Sequence, residues 1–387
     1  MAAEVLAQAG AAVTVFDHLP SPARKLLMAG RGGLNLTHSE PLEALLSRYG
    51  SARRALEPAI RAFPPEGLRA WADALGAGTF VGSSGRVFPR ALKASPLLRA
   101  WLARLASLGV QLRPRARWQG FAPDGALLVN GEALRPAATI LALGGASWPR
   151  LGSDGAWPAL LPGCQVAPLR PANLGFSVSW SAQMAAHAGL PLKRIAASFG
   201  NTTLRGEAML TATGIEGGVI YALSAALRDA IAADGAQTLW LDLRPDLDAT
   251  ALAQKLGASA ASVSTRLRKA GLAPPAVALV QEALHAGAGR GDLAALVKAV
   301  PVTLQAPQSL ARAISTAGGL AWTELDAGFM LRRYPGVFAC GEMLDWEAPT
   351  GGYLLQACFA TAATAAQGAL AYLAARTAYT TESTHAE

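Results

Sequence analysis

Cysteine is nearly missing from the chain: three residues, Cys164, Cys340 and Cys358, among 387. They form no CxxC pair and no even-numbered framework. A disulfide scaffold, a zinc ribbon and a dithiol reductase are therefore excluded, and a reducing, cytoplasmic setting is expected. Charge is also sparse, 16% of residues against 52% apolar, which is the balance of a packed globule and not of a disordered segment. Lysine is rare too. Only six of the 34 basic residues are Lys, so the net charge of +8 rests on arginines scattered along the chain. No dense basic run with interleaved aromatics occurs, and a nucleic-acid surface is not expected. Residues 1–16 are apolar but lack a cationic leader and carry Glu4 and Gln8, unlike a signal peptide. The Ala-rich stretch 357–375 contains Thr and Gln and is weakly hydrophobic for a membrane span, so a buried helix is expected there and no membrane insertion. No metal site is expected.

The length exceeds one ordinary domain, so more than one core is expected. Residues 2–9 are helix formers ending at Gly10, and 12–17 form a short buried strand ending in Asp17. Helix, glycine, strand, acid is the back half of a Rossmann βαβ unit, in which the acid accepts hydrogen bonds from ribose hydroxyls. The front half, a strand and a GxGxxG turn, does not occur before it. The expectation is that this half lies upstream of Met1, through a start codon placed too late, and that the chain as written holds a dinucleotide weakly.

Further along, residues 95–108 read as a helix stopped by Gly109, and three short runs between 116 and 134, separated by Asp124-Gly125 and Asn130-Gly131, read as a β-meander. A buried strand, 138–143, ends in Gly144 and Gly145, where a backbone can approach a ligand closely. Residues from about 248 to 300 read as helical, and the GAGRG cluster at 287–291, with no strand before it, reads as a loop between helices. Two segments carry chemistry: KLLMAGRGGLNLTHSE at 25–40 and GVFACGEMLDWEAPTGGYLLQA at 336–357. In both, glycines expose backbone amides beside a helix start or strand end, as a phosphate or a flavin carbonyl requires. Glu342, at the end of the strand 336–342, is placed to accept from a ribityl hydroxyl. Gly351 and Gly352 at a helix start would aim a positive dipole at the flavin N1/C2 edge, which stabilises the reduced anion.

These blocks, together with GRVFPRALKAS at 85–95, ILALGGASWPRLGSDG at 140–155, RGEAMLTATGIEGG at 205–218 and STAGG at 315–319, resemble the HI0933-like bacterial flavoproteins of the two-dinucleotide-binding-domain superfamily, in particular a subgroup carrying MAGRGGLNLTHSEP. The resemblance covers nearly the whole chain. It implies an α/β fold with a discontinuous FAD-binding Rossmann-like domain of the glutathione-reductase type, residues 1–166 and 316–387, with a β-meander, interrupted by an insert, 167–315, that is part β-barrel-like and part helical. It implies FAD held by Asp17, Lys25, Gly30, Gly32, Gly33, Asn35, Gly144, Gly145, Gly341, Glu342, Thr350, Gly351, Gly352 and Tyr353, with Arg86, Phe88 and Tyr353 on the substrate side. Relatives commonly read SGGGRCN where this chain has residues 29–35, and Leu34 stands at the usual Cys, so no thiol is available there. The implied activity is oxidation or reduction of a small organic molecule at flavin N5. With no second GxGxxG after a strand, electrons are expected to pass to oxygen, a quinone or a transiently bound NAD(P)H. Two other readings remain: an RNA-modifying flavoprotein, which the charge permits, and a non-catalytic remnant lacking its pyrophosphate turn.

Overall fold

The computed structural model describes residues 1–29, 32–257, 260–289 and 291–384, the side chains of 379–384 excepted. It divides into two compact units, residues 1–170 with 315–387, and residues 171–314. Each has its own apolar core, one including Leu56, Ile60, Phe338 and Leu344, the other Phe176, Ile195, Leu239 and Val280.

In the first unit, Thr14–Asp17 pairs in parallel with Gln111–Pro114, and Thr139–Leu141 pairs in parallel with Val337–Ala339. The Rossmann-like domain that the resemblance implies would join these strands in one sheet. Among the described residues they form two separate two-stranded ladders, because no strand bonds to both pairs. The last strand is also shorter than expected: it ends at Ala339, and Gly341, at φ +79°, turns the chain into a 3-10 turn, Gly341–Met343. The meander forms as its turns dictate, from Trp118–Phe121, Leu127–Val129 and Glu132–Leu134. Asn130 and Gly131 both take positive φ, the geometry of a tight hairpin turn.

Two helices fix this unit. Ala2–Gln8 is anchored by Glu4, which is 1% exposed and accepts from Trp71 Nε1 (3.0 Å), Trp101 Nε1 (2.7 Å) and Arg104 Nη1 (3.0 Å). A buried carboxylate is tolerable here because three donors replace water. The helix Tyr353–Thr384 packs against Arg53–Ala62 and Ala2–Gln8. Its inner face carries small residues, Ala357, Ala360, Ala365, Ala366 and Ala369, all fully buried, which lets neighbouring backbone come close. The segment Tyr353–Ala378 is long and apolar enough to cross a membrane by length and composition, and here that inner face belongs to the core.

The second unit holds a seven-stranded antiparallel sheet in the order Val300–Leu304, Gln237–Asp242, Pro191–Phe199, Thr202–Thr211, Gly214–Glu216, Phe176–Ser177, Ala306–Pro307. The two edge strands are neighbours in the chain, one residue apart, so both edges converge and the sheet curls like a barrel. Gly218–Asp234 packs on it. Ala249–Leu256, Val263–Lys269, Pro274–His285 and Leu293–Lys298 complete the unit, and the glycine cluster falls between the last two helices, its Arg290 lying outside the described residues.

Candidate cofactor site

After Val337–Ala339 the chain enters a turn held at both ends of one residue: the Gly341 amide donates to Thr361 Oγ1 (3.0 Å) and its carbonyl accepts from Trp346 Nε1 (2.9 Å). That turn presents Glu342. One carboxylate oxygen accepts from the Thr316 amide (3.0 Å), the other from Lys25 Nζ (2.6 Å), and Lys25 also donates to Ser147 Oγ (2.7 Å). Thr316 Oγ1 in turn accepts from the amides of Ala146 (2.8 Å) and Ser147 (3.2 Å). The glycine before them is obligatory for packing: a Cβ on Gly145 would sit 2.3 Å from Thr316 Oγ1. Four segments distant in sequence are thereby tied around one carboxylate. Burial and the Glu342 charge push the Cys358 thiol well above its ordinary range, and burial pushes Cys340 up to about 12, so both stay protonated at neutral pH.

The start of the long helix is set by a second close approach. A Cβ on Gly352 would lie 2.5 Å from the Thr37 carbonyl carbon, so only glycine lets the two backbones meet. Thr37 Oγ1 donates to Gln356 Oε1 (2.8 Å), and Gln356 Nε2 donates to the Phe63 carbonyl (2.7 Å). Tyr353, the first helical residue, is 5% exposed: its hydroxyl donates to Glu40 Oε1 (2.7 Å), and its carbonyl accepts from Tyr49 (2.8 Å). His38 stacks on its ring at 5.5 Å, and Arg48 lies 5.8 Å from the same ring while holding Glu40 with two bonds of 3.1 and 2.7 Å. Burial opposes ionisation of Glu40, but the bonds from Arg48 and Tyr353 outweigh it and hold the carboxyl below its ordinary range. Burial and the Glu40 partner hold the Tyr353 phenol well above its own.

The remaining expected residues are distributed around these two clusters. Asp17 ends its strand and caps the next turn, Oδ1 accepting from the Leu19 amide (2.8 Å); His18 and Leu19 lie against Gly152 in the loop after Gly144 and Gly145. Gly32 is open, Gly33 lies against the Phe88 ring, and Thr350 is half-buried ahead of the two glycines. Asn35 Oδ1 is buried without a hydrogen-bond partner among the described residues. Arg86 is the register partner of His38, and Phe88 packs on Phe80 at 5.9 Å. Gly30 lies outside the described residues. Lys25, Gly144, Gly145, Gly341 and Glu342 thus share one cluster, and Thr350 to Tyr353 the other. Thr316, Ser147, His38, Glu40 and Arg48 were not singled out from sequence. All but Arg48 lie inside motif blocks that were, yet a hydroxyl or a carboxylate that serves another residue looks like any loop residue before the chain folds. Among the described residues no His, Cys, Asp and Glu cluster could hold a metal ion.

The arrangement offers a fixed, charged acceptor, a helix start whose first amides have no intrahelical acceptor, and a buried amide oxygen in want of a donor. Among known proteins, the chain is 25% identical over 377 residues to a 3-dehydro-bile acid Δ4,6-reductase of Clostridium scindens, covering 91% of each chain. Among solved structures it is similar to an E. coli quinol fumarate reductase FrdA variant (15% identity, 96% of this chain and 68% of that one, TM-score 0.49). It is also similar to a 3-ketosteroid-Δ4-(5α)-dehydrogenase of Rhodococcus jostii (15%, 96% and 94%, TM-score 0.43). The HI0933-like protein Rossmann domain matches residues 1–368, and the chain belongs to that family.

Proposed function

We propose that the first unit binds FAD and that the protein is an FAD-dependent oxidoreductase acting on a small organic molecule. The carrying observation is the Glu342 carboxylate, fixed by the Thr316 amide and Lys25 in the turn after a parallel strand. Three features fit the same group: the Gly351-Gly352 helix start, the buried Asn35 Oδ1 that a ring N–H would satisfy, and the acid Asp17 at the end of its strand. In this reading Glu342 accepts from a ribityl hydroxyl, the helix start faces the N1/C2 edge, and Asp17 accepts from the adenosine ribose. Bound FAD supplies hydride exchange at N5. Lys25 holds the Glu342 carboxylate in place from one side, and the Thr316 amide holds it from the other. Tyr353, whose hydroxyl is committed to Glu40, acts as a positioning residue for the helix start, and Arg86 and Phe88 are left as the substrate-side pair. The name of the reductase relative supports reduction as the direction; a transiently bound NAD(P)H is the donor that this reading assigns.

Flavin content and turnover test this. The protein loaded with FAD and kept anaerobic is expected to bleach with NADH or NADPH and to recolour with an acceptor substrate. Arg86→Ala is expected to raise KM about tenfold with little change in kcat if it anchors an anionic group on the substrate. A loaded protein that neither bleaches nor recolours with any donor or acceptor contradicts the enzymatic part of the reading, and unchanged KM in Arg86→Ala removes that residue from it.

A further inference from the structure

We propose that the second unit carries a separate binding site for an amphiphilic monoanion, a carboxylate on a hydrocarbon body of fatty-acid size. A cleft of about 660 Å3 opens within this unit between the strand Pro191–Phe199, the segment after Gln237–Asp242 and the start of the helix Pro274–His285. That is the volume of a small-molecule site. Its walls are apolar: Leu192, Ile195, Leu243 and Leu272 are buried along it, and Leu190 is 42% exposed.

The free charges in the lining of the cleft share one sign. Pro191–Phe199 pairs with Thr202–Thr211 with a register shift between Leu192 and Ile195, so Lys193 and Arg194 together oppose Glu207. The extra residue bulges the strand, with Arg194 at φ +53°, and a bulge of this kind re-aims the side chains it carries. Both cations line the cleft, and their side chains have no hydrogen-bond or ion-pair partner among the described residues. Arg244 adds a third, its Nη1 donating to the Ala270 carbonyl. The single acid in the lining, Asp246, is engaged by Arg205 at 3.0 Å. The twelve-residue helix Pro274–His285 starts at the cleft with no side-chain cap, so its positive end adds to the field. Pro274 and Pro275 have no N–H, so the charge of the ligand is held by the side chains of Lys193 and Arg194, with Arg244 beside them. Apolar walls beside unpaired cations and a positive helix end select an anion with a hydrocarbon body over a neutral or cationic amphiphile of the same length.

The test is calorimetric titration of the full-length protein with dodecanoate and with dodecyltrimethylammonium, both below their micellar concentrations. Saturable dodecanoate binding is expected, at least about tenfold tighter than that of the cation. The double variant Lys193→Glu/Arg194→Glu should weaken it about tenfold or more, and Ala273→Trp, which fills the cleft from an exposed position, should abolish it; circular dichroism verifies that both variants are folded. Glu342→Gln should leave it unchanged, which separates this site from the cofactor site. Absence of saturable binding, equal affinity for the two amphiphiles, or affinity that survives both cleft variants overturns the proposal.

Discussion

Glu342 is the residue on which the cofactor reading turns, because both of its oxygens are already committed to protein donors and its orientation is therefore set in advance. A charge-assisted bond of this kind contributes about 1.5–3 kcal/mol. Glu342→Gln is expected to weaken FAD binding about 10- to 100-fold while leaving the fold intact, as read by titration and by thermal unfolding without cofactor. Gly145→Ala acts differently: its methyl group meets Thr316 inside a packed site, a cost of about 1–3 kcal/mol that should appear as lowered stability even without cofactor. Glu40 supplies a pH signature. Its folded pKa is depressed, so its contribution is present above the ordinary carboxylate range and is lost as pH falls through the lowered folded value. The helix start should loosen in acid, below about pH 4, and Glu40→Gln should remove that transition from an acid titration of near-UV dichroism; an identical acid profile in the variant contradicts the assignment. At this scale the sequence showed Glu342 and the glycines because their motifs have a backbone logic. Thr316 and Ser147 stayed hidden because their role exists only after residues far apart in the chain meet.

Among the elements, Ala2–Gln8 depends on a single side chain. Glu4→Leu would leave two indole N–H groups and a guanidinium without their acceptor, at about 1–3 kcal/mol each. A loss of about 3 kcal/mol or more in urea unfolding is expected, and a loss below about 1 kcal/mol would show that water reaches these donors. The meander and the long helix were legible because Asn130-Gly131 and Gly351-Gly352 have local conformational meaning. Strand pairing was not. Thr14–Asp17 and Thr139–Leu141 read correctly as strands, though the first is exposed to half-buried where a buried strand was expected and only Leu141 of the second is buried; whether they share a sheet depends on a third strand, and among the described residues none joins them.

The two units have separate apolar cores, which permits separate unfolding transitions. A ligand of the first unit stabilises only that unit, by about 2.7 kcal/mol at a hundredfold excess over Kd. Calorimetry with FAD should therefore raise one transition and leave the other in place, and dodecanoate should do the reverse. The most direct test of the central claim is a titration of the purified protein with FAD, followed by flavin fluorescence, alongside Glu342→Gln and Gly352→Ala. The account predicts saturable one-to-one binding in the parent chain, weakened about 10- to 100-fold by Glu342→Gln and at least as much by Gly352→Ala. No saturable binding in the parent, or the same affinity in all three, would contradict it.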